Sequence, residues 1–450
     1  MKIYILTSLL TMLMAQSAYA LDVVYPKEAE VTIKSPKTFF IGNTDIEKEL
    51  KINGTPVNVH PSGGFAHVVE LEDGENQFVL ESGKEKQIFK ITNSTQALDS
   101  EQINQTQISY DTPKTFLTIK DNVPLRSTPV DGGINRIAHF PKGIPLKAIG
   151  EIGEFYKIEL NNQKTAWISY RDVESFDNYI PAKLLSKNII EDKDFYIFKF
   201  DFDKKTPYVI ESGYPFVIKF YNVEGEENNT LTFSFPLTQK LLGYSGEFEN
   251  NSFIIKIRKA PIINEEKPLK DIKIVIDAGH GGSEIGAIGC LRHLEKDINL
   301  SIAKKLEKEL KSRGAKVIMT RKHDEQVELY ERVDITNNND AMIFISIHGN
   351  ALPDNMDPIA NNGTSIYYYY PQAKPLADAI MKEMNEQLPL NDDKVRKGSL
   401  AVVRNTKALS VLIEVAYLIN PEDNAKLINK DIQKQSAKAI SDGIEEFLKN

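Results

Sequence analysis

From residue 22 to 93 the chain is a succession of short apolar runs broken by turn dipeptides. Asn53-Gly54, Gly63-Gly64 and Asp73-Gly74 accept the positive φ that tight hairpins demand, and flanking runs such as Phe78-Val79-Leu80 have the character of strands. The pattern predicts a small β-sandwich over 22–93. Over 94–112 the composition turns to Asn, Ser, Thr, Gln, Asp and Glu, which bury too little surface to offset chain entropy, so a linker is expected there. Short strand signals resume over 113–176. In 177–262 alternation with period two becomes strict, at 196–202, 216–220, 231–235 and 253–257, which predicts the half-buried strands of a third β-rich unit. Residues 263–270, with Pro268 and charged neighbours, read as a second linker.

At residue 272 the period changes. Ile272-Lys273-Ile274-Val275-Ile276 is a buried-type strand running into a Gly-rich turn. Leu294, Ile298, Ile302, Leu306 and Leu310 then recur at i, i+4, one face of a helix that Gly314 closes. Strand patterns follow at 317–319, 342–347, 366–370 and 411–413. Helix patterns stand at 327–337 and 376–388, and two more follow Asn420-Pro421. Strands alternating with helices imply a mostly parallel sheet covered by helices on both faces. The expected fold is multidomain: three small all-β domains followed by a C-terminal α/β domain over 271–450.

Length and composition agree. A chain of 450 residues is too long for one core, and 41% hydrophobic with 26% charged residues exclude both a disordered chain and a multi-span membrane protein. A net charge of −8 argues against a nucleic-acid partner. Lys2, the apolar stretch 3–15 and Ala18-Tyr19-Ala20 read as a cleaved secretory signal over 1–20, too short to anchor the chain, so no integral membrane association is expected. The protein is expected to be exported, to a periplasm first, with the cell wall or exterior as the alternative. Cys290 is the single cysteine, so no internal disulfide can form and stability rests on packing or metal.

Ligands of such α/β sheets sit beyond the carboxyl ends of the strands. Four candidates fall there: His280 after the first strand, Glu295 at the start of the next helix, His348 ending Phe344-Ile345-Ser346-Ile347, and Glu414 ending Val411-Leu412-Ile413. Two imidazoles and one carboxylate are the ligand set of an open catalytic zinc, and a second carboxylate suits a general base. Blander roles compete: an acid at position 295 is favoured by the helix dipole alone, and His348 suits a core histidine. Cys290 and His293, spaced C-x-x-H, are a rival metal pair. His323 reads as a surface loop residue.

Several stretches resemble known families. The Asn-Gly turn, Gly64-Phe65 and Gly74-Glu75-Asn76 resemble the immunoglobulin-like add-on domains of secreted bacterial enzymes. Val123-Pro124-Leu125-Arg126-Ser127-Thr128-Pro129, Phe140-Pro141-Lys142-Gly143, Phe155-Tyr156-Lys157-Ile158 and Ala166-Trp167-Ile168 resemble a bacterial SH3-like β-barrel over 113–176, with Trp167 as a core or closing residue rather than a wall contact. The third β-rich unit resembles wall-targeting sandwich modules. In the last domain, Ile276-Asp277-Ala278-Gly279-His280-Gly281-Gly282, Glu295-Lys296-Asp297-Ile298-Asn299-Leu300, Thr320-Arg321-Lys322-His323-Asp324, Leu329-Tyr330-Glu331-Arg332, Ser346-Ile347-His348-Gly349-Asn350 and Leu412-Ile413-Glu414-Val415-Ala416-Tyr417-Leu418-Ile419-Asn420 resemble, in order and spacing, the zinc N-acetylmuramoyl-L-alanine amidases.

The resemblance implies that His280, Glu295 and His348 bind Zn²⁺ and that Glu414 is the catalytic carboxylate. The reaction implied is hydrolysis of the amide between N-acetylmuramic acid and the L-Ala of the peptidoglycan stem. Glu284, Gly349 and Val415-Ala416-Tyr417 depart from the family pattern without removing a ligand. Alternatives are a non-catalytic wall-binding or activator protein, and a zinc peptidase cutting within the stem. The expected partner is peptidoglycan, and a regulatory protein stays open. Between Tyr370 and Glu414 one helix, a polar turn at 391–393 and a strand approach through 400–404 leave no room for a plugging helix, so 271–450 is expected to act without an activator.

Overall fold

The computed structural model describes residues 21–94 and 106–449. The leader expected over 1–20 and the linker positions 95–105 lie outside the described residues.

Asp22–Tyr25, Lys37–Asn43 and Gly64–Glu70 form a three-stranded sheet. It faces a five-stranded one ordered Glu30–Ile33, Glu85–Asn93, Gly74–Ser82, Leu50–Ile52, Thr55–Val57. Phe40, Phe65, Leu80 and Ile91, fully buried, fill the space between. The next strand, Ile108–Thr118, starts inside the stretch that composition alone suggested as linker, because its polar residues pair with Pro145–Ile152 at a sheet surface instead of entering a core. It belongs to a seven-stranded sheet in which Trp167 is buried.

Two further sheets follow. Leu184–Glu191, Phe195–Phe202, Ser252–Arg258 and Tyr244–Glu249 form one, and Tyr208–Ser212, Phe216–Tyr221 and Thr230–Phe235 the other. One apolar cluster, from Phe116 through Ile158 and Ala182 to Ile257, runs across the expected boundary at 176/177. Packing therefore welds these two β-rich units together.

The C-terminal sheet has six strands: Lys273–Ala278 (β1), Lys316–Met319 (β2), Ile343–Asn350 (β3), Thr364–Tyr368 (β4), Asp392–Lys397 (β5) and Leu409–Tyr417 (β6). Their order is β2-β1-β3-β6-β4-β5, with β4 antiparallel to β6 and every other neighbouring pair parallel. Helices Glu295–Ser312 (α1), Lys374–Gln387 and Lys430–Lys449 bury one face around Ile274, Ile276, Ile345 and Ile413. Val275, Phe344 and Leu412 point the other way, towards Ile335 of Leu329–Asn338 (α2) and towards Val402 and Val403. Alternation along each strand decides which residue meets which layer.

The expected polar turn at 391–393 opens β5, an edge strand of Asp, Lys and Arg, whose charge protects the free edge while its backbone pairs with β4. The expected strand approach through 400–404 contains a 3-10 turn, Ala401–Val403, packed on the sheet face.

The first domain docks on the last. Arg292 forms a bidentate pair with Asp22 at 2.6 and 2.8 Å, and Asn43 Nδ2 donates to the Cys290 carbonyl at 3.0 Å. Val24, Phe39, Ile41 and Ala66 close over Cys290 and Ile419. The second domain touches the last through Tyr369, whose hydroxyl donates to the Gly133 carbonyl at 2.9 Å.

Candidate metal centre

β3 and β6 run parallel, with His348 paired directly to Glu414. Residues 344, 346 and 348 share a face, as do 412 and 414, so both side chains emerge on the α2 side at the carboxyl end of the sheet. His280 follows β1 in a turn with φ of +59°, and Glu295 is the first residue of α1. Three elements adjacent only in space thereby deliver His280, Glu295 and His348 to one point. One ligand atom from each lies within 4.8 Å of the others.

The carboxylate of Glu295, buried, is the centre of this arrangement. Its Oε2 lies 3.1 Å from His280 Nε2 and its Oε1 2.9 Å from His348 Nδ1. Ala287 N donates to it at 2.8 Å, and Asn299 Nδ2 and Gly349 N each at 3.3 Å. Burial opposes its ionisation, yet the bonds and charges of the two imidazoles hold it well below the usual carboxylate range. Burial likewise disfavours a charged His348, but the bond to Glu295 and the charges of Glu414 and Glu295 outweigh it and push its pKa up. The pocket thus concentrates negative charge around two imidazoles, the environment a divalent cation satisfies.

Glu414 differs. Its Oε2 is buried without a hydrogen-bond partner among the described residues, and desolvation is the main cause that lifts its pKa to about 7, against the opposing charge of His348. A buried carboxylate beside a metal-type cluster, with one oxygen unpartnered and its pKa raised, is free to take up a proton.

The backbone around the cluster permits the approach. A Cβ on Gly279 would lie 2.2 Å from His348 Nε2, so only glycine lets the turn pass the imidazole. At Gly349, where the resemblance would favour Ala, a Cβ would lie 2.1 Å from Leu418 Cδ1.

Composition and spacing assigned no role to the charged groups beneath His280. Asp277 is fully buried and accepts from Arg332 Nη1 at 2.5 Å, from the Thr320 hydroxyl at 2.7 Å and from the Ser346 hydroxyl at 2.7 Å. Arg332 also donates to the carbonyls of Ala278, His280 and Val327 at 3.0, 3.2 and 2.9 Å. Arg321 binds the carbonyls of Ala278, Gly279 and Lys296 at 2.8, 3.0 and 2.7 Å. Two guanidiniums therefore hold the turn that carries His280. An acid directly after Ile272-Lys273-Ile274-Val275-Ile276, in a strand otherwise built to be buried, was the signal available in the sequence.

The rival ligands are placed elsewhere. Cys290 is fully buried under the first domain, and burial pushes its thiol up to about 12, unsuited to the thiolate a metal needs. His293 and His323 are exposed. A cleft of about 440 Å³ opens in front of His280 and His348, with Val327, Leu329, Leu400 and Val402 among its apolar walls and Glu284 and Gln326 at polar positions.

Residues 274–446 match the family described as N-acetylmuramoyl-L-alanine amidase (Amidase_3). A protein of Staphylococcus aureus named probable cell wall amidase LytH is 36% identical over 186 residues, which cover 41% of this chain and 61% of that protein. The chain thus spans about three fifths of that relative's length. Among solved structures, the N-acetylmuramoyl-L-alanine amidase AmiC2 of Nostoc punctiforme is 33% identical, with a TM-score of 0.38, covering 42% of this chain and 100% of the other. The catalytic domain of CwlV from Bacillus (Paenibacillus) polymyxa is 38% identical, with a TM-score of 0.38, covering 40% and 98%.

Proposed function

We propose that this chain, whose residues 274–446 form a domain of the N-acetylmuramoyl-L-alanine amidase family, hydrolyses the amide joining the lactyl group of N-acetylmuramic acid to the L-Ala of the peptidoglycan stem. The observation that carries the reading is the meeting of His280, Glu295 and His348 within 4.8 Å, beside Glu414, whose Oε2 has no hydrogen-bond partner among the described residues.

Two imidazole nitrogens and a carboxylate oxygen are donors that fit zinc with a coordination position left over, and Glu295 is already ionised to serve. Zinc held there would supply Lewis acidity towards the scissile carbonyl and would lower the pKa of water from 15.7 to about 7. Arg321 and Arg332 fix the turn of His280 through its carbonyls, which keeps the imidazole aimed. Glu414 takes the proton of the attacking water on its unpartnered Oε2 and returns it to the leaving L-Ala amine, a contribution of roughly 10²–10⁴ in rate. The apolar walls of the cleft, Val327, Leu329, Leu400 and Val402, exclude water and seat the stem peptide.

The place of action is the wall outside the cytoplasm, a periplasm by preference. Among the described residues no helix is long and apolar enough to cross a membrane.

The test is digestion of purified peptidoglycan by the full chain and by Glu414→Gln, with mass spectrometry of the products and zinc determined on both proteins. Free stem peptides beginning with L-Ala from the wild type, and a loss of about 10²–10⁴ in Glu414→Gln at unchanged zinc content, are expected. Shortened muropeptides would make the protein a peptidase, and no product at full zinc occupancy would make it a binder; either result overturns the reading.

A further inference from the structure

A second cleft, of about 610 Å³, lies at the junction of the two welded β-rich units, among residues to which the proposed hydrolysis gives no task. Its volume falls in the range of about 300–1,000 Å³ typical of small-ligand sites. Five asparagines line it, Asn161 and Asn162 from the second unit and Asn222, Asn228 and Asn229 from the third. Asn162 Nδ2 donates to Asn228 Oδ1 at 2.7 Å, and Asn161 Nδ2 to the Thr230 hydroxyl at 3.0 Å. No hydrogen bond among the described residues engages Asn228 Nδ2 or the side-chain amide of Asn229. Both residues are exposed, with φ of +51°, a left-handed backbone that asparagine tolerates.

The rest of the lining narrows the ligand chemistry. Lys147 and Glu159 are the charged groups of this cleft and pair with each other, so it offers no net charge to an ionic ligand. Tyr179, half-buried, contributes an aromatic surface. Amide groups that donate and accept, a neutral wall and an aromatic ring suit a polymer rich in hydroxyl and acetamido groups with one apolar face. The site is also preformed, since the apolar cluster beneath it joins Ile158, Leu160 and Ala182 to Phe198 and Phe220. Ala182, which follows the lining residue Pro181, donates its N–H to the Asn222 carbonyl at 2.8 Å. A rigid cleft loses little entropy when it binds.

We propose that this cleft binds a glycan strand of N-acetylated amino sugars, so that the wall polymer is gripped by its sugars at the β-rich units while its peptide is cut in the last domain. The choice of ligand rests on the hydrolase reading above; the cleft and its chemistry do not.

The test is titration of the full chain carrying Glu414→Gln with chitotetraose, a peptide-free oligomer of N-acetylglucosamine, by calorimetry. Asn229→Gly removes the amide but keeps the left-handed backbone, and Tyr179→Ala removes the ring; each is expected to weaken binding about tenfold or more, whereas Tyr179→Phe stays near the parent. In the otherwise wild-type chain, Asn229→Gly and Tyr179→Ala should slow digestion of intact wall and leave a soluble muramoyl-tripeptide substrate unaffected. Failure of chitotetraose to bind, equal binding by all variants, or variant-sensitive binding of a free stem peptide in its place would each overturn the proposal. Normal sugar binding in a chain that hydrolyses nothing would sink the catalytic reading alone.

Discussion

Arg332→Ala tests whether the buried ion pair under His280 holds the carboxyl end of the sheet together. The substitution removes the guanidinium 2.5 Å from Asp277, whose side chain is 1% exposed, and leaves three carbonyls, of Ala278, His280 and Val327, without that donor. Stripping one partner from a buried pair costs about 3–5 kcal/mol, because the other charge cannot return to water. Asp277 keeps the hydroxyls of Thr320 and Ser346 at 2.7 Å, which places the expected loss near the lower end, about 3 kcal/mol, or roughly a hundredfold in local opening. Amide hydrogen exchange of the β1 strand in the full chain reads this opening directly, without requiring the several domains to unfold together. Asp277→Asn combined with Arg332→Ala removes both charges of this pair and should exchange more slowly than Arg332→Ala alone. Zinc affinity by chelator competition should fall about 10–100-fold in the single variant, since the carbonyl of His280 is no longer held. A change under about 1 kcal/mol in Arg332→Ala, or a double variant as labile as the single, would refute the argument from buried charge.

Three further outcomes are expected. Gly279→Ala forces a methyl to within 2.2 Å of the His348 ring, so zinc stoichiometry should collapse while far-ultraviolet circular dichroism stays unchanged; retained zinc would show that the turn has slack. His348→Ala removes one of the three donors and should lower zinc content to near zero, as read by atomic emission on the dialysed protein. Docking of the first domain should weaken in acid. The Arg292 hydrogen bond is the main cause that holds the Asp22 carboxyl below its ordinary value, against burial and with help from Asn43. A carboxyl with a depressed folded value contributes above the unfolded pKa of about 3.9 and loses its contribution as pH falls through the folded one. Because the pair is a third to a half exposed, the effect should stay within about 1 kcal/mol. Exchange protection at Val24 and Phe39 across pH 6 to 3 checks it, and rising protection would reverse the sign.

Local patterns in the chain determined a good deal about this protein. The short strand runs up to residue 176, the period of two over 177–262 and the mixed strand and helix periods after 272 are consequences of which side chains must face a core, and that requirement acts over a few residues at a time. The candidate donors were legible for a related reason: a histidine or an acid ending an apolar run, as at His348 and Glu414, is a polar group where burial needs a justification. A free edge strand was harder to read. Asp392–Lys397 carries no apolar run, and only its pairing with β4 makes it a strand.

The tertiary structure decided what depends on contacts between distant residues. It set His348 in register with Glu414, brought Glu295 from a helix start to both imidazoles, and turned Arg321 and Arg332 onto the carbonyls of one turn. It buried Cys290 beneath Val24 and Phe39, which removes a metal candidate that spacing alone left standing. The asparagine cleft exists only because one apolar cluster welds two β-rich units that sequence reading separated. Burial, register and desolvation are properties of neighbours brought together in space, so no window of sequence contains them.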